Sequence, residues 1–238
     1  MVILKEGGVL MRPGEQYNFN ISNEELNEAI NHARREQFID NLRVRNIFVQ
    51  LDSKIRGYLG EIKMNQFFAE NSINVLGVDA IDNEDAIDRD FVIQMFDGSS
   101  AIIECKTSLV PDIWTTIDDV IEKGDIKIIK REQDYHDIPI DIHVQIYFNQ
   151  YRRKRDSMLS QLQGRPEDYT NEELINLMGL SSLRQSFFAW MDRESLNSYL
   201  KNSPQKTWSY CMRQFWSCPL KYSKKATDLA QFIHGELF

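Results

Sequence analysis

The sequence predicts an α/β fold built on a mixed central sheet flanked by helices. Three observations lead there. Leu51, Ile55, Tyr58, Leu59, Ile62, Phe67 and Phe68 recur at helical spacing over 47–71. Two strand-like runs follow, AIDRDFVIQMF (86–96) and SAIIECKTS (100–108), divided by Asp97-Gly98-Ser99, a segment of strong turn chemistry. After a polar stretch, IDIHVQIYF (140–148) is β-branched and aromatic almost throughout, the clearest strand of the chain.

The remaining elements can be taken in order. Ser22-Asn23-Glu24-Glu25 has the form of a capping box and predicts a helix running to about Asn41. INVLGV (73–78) predicts a short strand, and the polar stretch 112–135 a helical or irregular crossing. After Asn149 the composition shifts. Tyr151-Arg152-Arg153-Lys154-Arg155 is a basic run, Thr170-Asn171-Glu172-Glu173 repeats the capping-box form, and the rest, with SFFAWMDRESLNSYL (186–200), is expected to be mainly helical. The expected division is an N-terminal helical segment (1–45), a core (46–150) and a C-terminal, mainly helical region (151–238).

Composition narrows the function. With 238 residues, 42% of them hydrophobic, the chain can bury a core, and no apolar run reaches the length of a membrane span. The opening MVILKEGGVLMRPGEQ is too broken by charge and glycine for a secretory signal. Cys105, Cys211 and Cys218 form no CxxC pair, which fits a reducing, cytoplasmic setting. The net charge of -8 is uneven: residues 1–150 carry 27 acidic and 15 basic side chains, residues 151–238 carry 9 and 13. A basic C-terminal third on an acidic body suits a polyanion partner, and equally suits an unevenly solvated surface. His32, His136, His143 and His234 make no HxxxH or Ser-His-Asp pattern, and there is no phosphate loop or dinucleotide fingerprint.

The chemistry concentrates in the two central strands. Alternation places Asp88, Asp90 and Val92 on one face, and Glu104 with Lys106 on one face of the next strand. If Asp97-Gly98-Ser99 is a three-residue loop, Phe96 opposes Ser100, Asp90 faces Lys106, and Glu104 lies on the diagonal at roughly 7–8 Å. A loop of two or four residues would turn Asp90 to the other side. Read alone, Glu104 and Lys106 fit an ion pair on a wet sheet face as well as half of a catalytic site. Three charges on a dry face would be costly without partners. A divalent cation resolves that cost, since carboxylates are hard oxygen ligands suited to Mg²⁺. A lysine there can hold a water or offset charge developing on a phosphate.

Asp90, Glu104, Cys105 and Lys106 together resemble the D-x(n)-E-x-K motif of the PD-(D/E)XK nuclease superfamily, the restriction-endonuclease-like fold. The resemblance spans about 47–150, where the element order also matches the family's αβββαβ core. It implies Mg²⁺-dependent hydrolysis of DNA phosphodiester bonds, with Asp90 and Glu104 as metal ligands and Lys106 positioning water. Many members carry a further glutamate on the preceding helix, and Glu61 stands at that position. Arg89 stands where many members have proline. The resemblance further implies a double-stranded DNA endonuclease, of the type II restriction kind or a phage, mobile-element or repair enzyme, often acting as a homodimer. A catalytically inactive DNA-binding relative shares the same pattern. Arg152, Arg153, Lys154 and Arg155, with Lys130 and Arg131, are candidate phosphate contacts. Gln145, on the strand at 140–148, either faces the site or, as expected here, is solvated; Trp190, Trp208 and Trp216 are expected to lie in the core, and Cys105 to point into packing.

Overall fold

The computed structural model describes residues 16–35, 45–76, 90–114, 118–128, 138–203, 206–207 and 214–236. Asp88, Lys130, Arg131 and Trp208 lie outside the described residues.

The chain begins with a short strand, β1 (Tyr17–Phe19), and a helix, α1 (Asn23–Arg35). Both halves of the Ser22 capping box form: Ser22 N donates to Glu25 Oε2 at 2.7 Å and Glu25 N to Ser22 Oγ at 3.2 Å. The long helix α2 (Ile47–Glu70) begins where Asn46 Oδ1 accepts from Phe48 N at 2.8 Å, and closes where Asn71 Nδ2 donates to Phe67 O. Its buried residues serve two clusters. Phe48, Leu51, Ile55 and Leu59 pack with α1, and Met64, Phe67 and Phe68 pack on the sheet.

The sheet is assembled from β2 (Val75–Leu76), β3 (Phe91–Gln94), β4 (Ser100–Val110), β6 (Ile142–Tyr151) and β7 (Gln185–Asp192). Its order is β1-β7-β6-β4-β3-β2, with β10 (Lys224–Lys225) also pairing with β7. β2, β3 and β4 form an antiparallel meander, whereas β4 and β6 run parallel and β6 and β7 antiparallel. The sheet is therefore mixed, with helices against it. Residues 142–148 are buried without interruption because both faces of β6 are covered.

Between β4 and β6 the chain makes α3 (Asp118–Lys123) and a strand, β5 (Asp125–Ile128). This strand replaces part of the helical or irregular crossing expected from the polar composition. It pairs with β9 (Gln214–Pro219), which also pairs with β8 (Lys206–Thr207), making a second, three-stranded sheet. Ile126 and Ile128 drop into a core shared with Tyr147, Ala189 and Met191 of the main sheet.

The C-terminal region differs from the mainly helical expectation. It carries α4 (Arg152–Leu159), α5 (Asn171–Leu177), α6 (Arg193–Leu200) and α7 (Asp228–Ile233), but also the four strands β7 to β10. In SFFAWMDRESLNSYL the first half extends and the second half coils, with Asp192 as the boundary: it caps α6 by accepting from Ser195 N at 2.8 Å. β-branching is absent from that half, so its aromatic burial beside β6 decides the strand. Trp190 is fully buried, and Trp216 packs against the third cluster. The capping box at Thr170 forms in full, with Glu173 as its partner. No helix among the described residues is long and apolar enough to cross a membrane.

Two polar or steric details fix α2 against the sheet. A methyl group on Gly60 would sit 2.6 Å from Thr107 Cγ2, so glycine lets the helix approach β4 there. Asp52, fully buried, accepts from Arg56 Nε and from Arg155 Nε, each at 2.9 Å. Burial opposes ionisation of Asp52, yet the two guanidinium groups overcome it and hold the carboxyl below its usual range.

Gly60→Ala is expected to cost on the order of 1–2 kcal/mol in urea unfolding, overpacking outweighing the helix propensity that alanine gains. Adding Thr107→Ser, which removes the obstructing methyl, should restore most of the loss. Asp52→Asn should cost about 3–5 kcal/mol by the same measurement, because it strands two buried cations.

Candidate active site

The β3–β4 hairpin turns one residue earlier than the turn composition suggests. Gln94 opposes Ser100 and Phe91 opposes Ile103, so the loop is Phe96-Asp97-Gly98. Met95 N donates to Ser99 O at 2.8 Å to close it, and Gly98 supplies the left-handed residue that such a loop requires, with φ +83°. Asp97 Oδ1 accepts from Ser99 N and Ser99 Oγ, which draws Ser99 into the ladder. The shift of one pair corrects the expected facing. Asp90 lies level with Glu104, not Lys106, one residue beyond the ladder, where its amide donates to Ile103 O at 3.2 Å.

Asp90 bends out of β3, and its carboxylate turns to the backbone of β4: Oδ2 accepts from Cys105 N at 2.6 Å. Cys105 is flanked by Glu104 and Lys106, and packs on the α2 side of the sheet. Its thiol is pushed well up, first by burial and then by the negative charges of Asp90, Glu61 and Glu104, with Lys106 opposing. Glu61 is half-buried and follows Gly60, whose close contact sets the height of the helix over β4.

Glu104 and Lys106 share the other side of β4. Lys106 Nζ lies 2.7 Å from Glu104 Oε1, and the lysine side chain is 30% exposed while the glutamate is 2% exposed. The sequence reading passed over the partner of the second carboxylate oxygen. His143 stands beside Glu104 in the parallel β4–β6 register, and its Nδ1 lies 3.0 Å from Glu104 Oε2. With Glu104 ionised, Nδ1–H is the donor. Burial alone would raise the Glu104 carboxyl, but the His143 hydrogen bond and the charges of Lys106 and His143 bring it down to about 2.

Gln145 takes the next position of the same row, opposite Lys106. It is fully buried, contrary to the expectation of a solvated side chain. Its Nε2 donates to Lys106 O at 2.9 Å and lies 3.2 Å from Ser108 Oγ, while Oε1 accepts from Lys127 N at 3.4 Å. Burial of this amide is tolerable because both of its ends are bonded. A β-bulge in β7 adjoins it, between Gln145 and Ile146. A signal for both residues existed in the sequence: His143 and Gln145 are polar at i and i+2 in an otherwise apolar strand, matching the spacing of Glu104 and Lys106.

The basic run divides. Arg153 and Lys154 are exposed, Arg152 is partly exposed with Asp156 at 3.9 Å, and the Lys154 ammonium lies 5.3 Å from the Tyr151 ring centre. Arg155 is corrected from surface contact to interior: it is 2% exposed, and its guanidinium is spent on Asp52 and Gln150. It points inward because position 155 lies on the face of α4 that packs against α2.

As a cation site the arrangement offers two carboxylates. No group of three or more His, Cys, Asp and Glu side chains is gathered to hold a metal among the described residues. Glu104 Oε1 is buried and ion-paired with Lys106 Nζ at 2.7 Å. Carboxylates are hard oxygen ligands of the kind that suit Mg²⁺, which keeps several waters of its own.

The depressed Glu104 carboxyl implies a defined acid response. Its folded value, about 2, lies below the ordinary 4.5, so its contribution is complete at neutral pH and lost as pH falls. The unfolding free energy of wild type should exceed that of Glu104→Gln by on the order of 3 kcal/mol above about pH 5, the gap closing towards pH 2.

Comparison with protein-family models, curated proteins and solved structures finds no match to this chain.

Proposed function

We propose that this protein is a Mg²⁺-dependent endonuclease of restriction-endonuclease-like architecture, hydrolysing phosphodiester bonds of double-stranded DNA. The observation that carries the reading is the buried Glu104 paired with Lys106 at 2.7 Å on one face of β4, with Asp90 level with it beyond the β3–β4 ladder. The connectivity supports it as well: a long helix, an antiparallel meander, a crossing segment and a strand parallel to the last strand of the meander.

In this reading Asp90 and Glu104 present the metal ligands, with Glu104 Oε1 on the side of Lys106. The ion, when bound, would polarise the phosphate and lower the pKa of an attacking water. Glu104 stays ionised across the neutral range because His143 holds its other oxygen. Lys106, partly exposed beside it, orients the water and offsets charge that develops on the phosphate. Glu61 approaches from α2 and supports the water shell. Arg152, Arg153 and Lys154 supply phosphate contacts outside the site, and cutting both strands calls for a homodimer or two successive events.

A second reading is favoured by one observation. Both oxygens of Glu104 already have cationic or donor neighbours, Lys106 and His143, as in a purely structural ion-pair cluster of a non-catalytic DNA-binding protein.

Supercoiled plasmids of several sequences, incubated with and without Mg²⁺, separate the two. Wild type is expected to cut only with the metal, and Asp90→Asn, Glu104→Gln and Lys106→Ala each to lose on the order of 10²–10³ in rate. Full activity in Lys106→Ala, or an absence of cutting across plasmids carrying all short recognition sites, would overturn the nuclease reading. Discrete fragment ends would assign the enzyme to the restriction type.

A further inference from the structure

A second polar cluster lies two residues beyond Lys106 on the same side of β4. Its centre is Lys127 on β5, whose Nζ is 3.4 Å from Ser108 Oγ. Lys127 opposes Ser217 in the β5–β9 ladder, so both side chains leave the small sheet on one side. Ile126 and Ile128 leave on the other side, into the third core cluster. Ser217 is 6% exposed, and its Oγ has no partner among the described residues.

The charges around Lys127 do not balance. Burial, then the like charges of Arg152 and Arg56, bring its ammonium down to about 8. Asp125 is the acid that acts on it in return, and that carboxylate is bonded to Lys206 Nζ at 2.9 Å. Arg56 and Arg155 share the single carboxylate of Asp52, and Arg152 lies 3.9 Å from Asp156. A half-buried ammonium beside other cations and an orphan hydroxyl weakens the fold as it stands. The same groups are what a tetrahedral oxyanion needs: a point charge and a hydroxyl donor.

The geometry points to a second phosphate-binding position, formed by Lys127 and Ser217 and separate from the Asp90–Glu104–Lys106 site. On the nuclease reading, the oxyanion is a phosphodiester of the bound strand adjacent to the one cut. Two residues of β4 advance about 6.6 Å, a step comparable to that between neighbouring phosphates of one strand. Gln145 ties the two positions together, since it bonds Lys106 through one end and Lys127 through the other.

The experiment measures binding of a short labelled duplex of mixed sequence without metal, as a function of salt. Lys127→Met is expected to lower the slope of log K against log salt by about 0.9, the loss of one phosphate contact. Ser217→Ala should weaken binding several-fold with the slope unchanged. Lys225→Met, on the opposite edge of β7 from β6, should leave both unchanged. Without ligand, Lys127→Met should unfold at the wild-type temperature or above, because it removes an uncompensated charge. Inorganic phosphate should raise the unfolding temperature of wild type and not that of Lys127→Met. If phosphate protects wild type in this way but duplex does not bind, the oxyanion position stands and nucleic acid is excluded as its source. An unchanged salt slope in Lys127→Met, or a lowered unfolding temperature with no phosphate effect, overturns the proposal. Loss of cutting in Asp90→Asn alongside an unchanged Lys127→Met slope sinks this position and leaves the nuclease reading in place. A lost slope with no cutting by wild type does the reverse.

Discussion

The parallel pairing of β4 with β6 sets every other relation at the site. It places His143 beside Glu104 and Gln145 beside Lys106, residue for residue, over a run of seven consecutive pairs from Ile103 to Leu109. A slip of β6 by one residue would turn His143 and Gln145 to the α2 face and put Val144 and Ile146 beside Glu104 and Lys106. The pairing is well protected against such a slip. Ile142, Val144, Ile146 and Phe148 are buried against α2 and its neighbours, so a slip would expose four large apolar side chains to a polar environment. The apolar face of β6 thus determines the geometry of the polar one.

That polar face is buried yet charged, which normally carries a penalty. The fold meets it with neighbours of complementary kind: a histidine and a lysine for Glu104, a backbone amide for Asp90, and two carbonyl or hydroxyl acceptors for Gln145. The compensation is incomplete at two atoms, His143 Nε2 and Ser217 Oγ, both buried and without hydrogen-bond partners among the described residues. Residual frustration of this sort is common where a site is prepared for a ligand.

Much of the fold was legible from local signals. The 3.6-residue period located α2 to within a residue, and both capping boxes formed because their side chains need only backbone groups three residues away. The face shared by Glu104 and Lys106 followed from alternation alone. What escaped depended on distant partners. β5 is four residues of ordinary composition that become a strand only because β9, some ninety residues later, pairs with it. The hairpin register hinged on which residue adopts a positive φ, and Gly98 was free to stand second or third in the loop. Arg155 looked like its basic neighbours, and only the burial of Asp52, a hundred residues earlier, distinguishes it. His143 was passed over because isolated histidines carry no motif; its meaning arises from the strand beside it.

The sharing of Asp52 between Arg56 and Arg155 also bears on how this sequence can change over time. Loss of the carboxylate leaves two interior cations, and loss of either arginine leaves a carboxylate with half its compensation. Losing one arginine still leaves a neutral one-to-one pair, whereas the carboxylate can be lost without stranded charge only when both arginines change with it. Drift at Asp52 should therefore be slow and concerted with that of the arginines, even though none of the three touches the candidate active site.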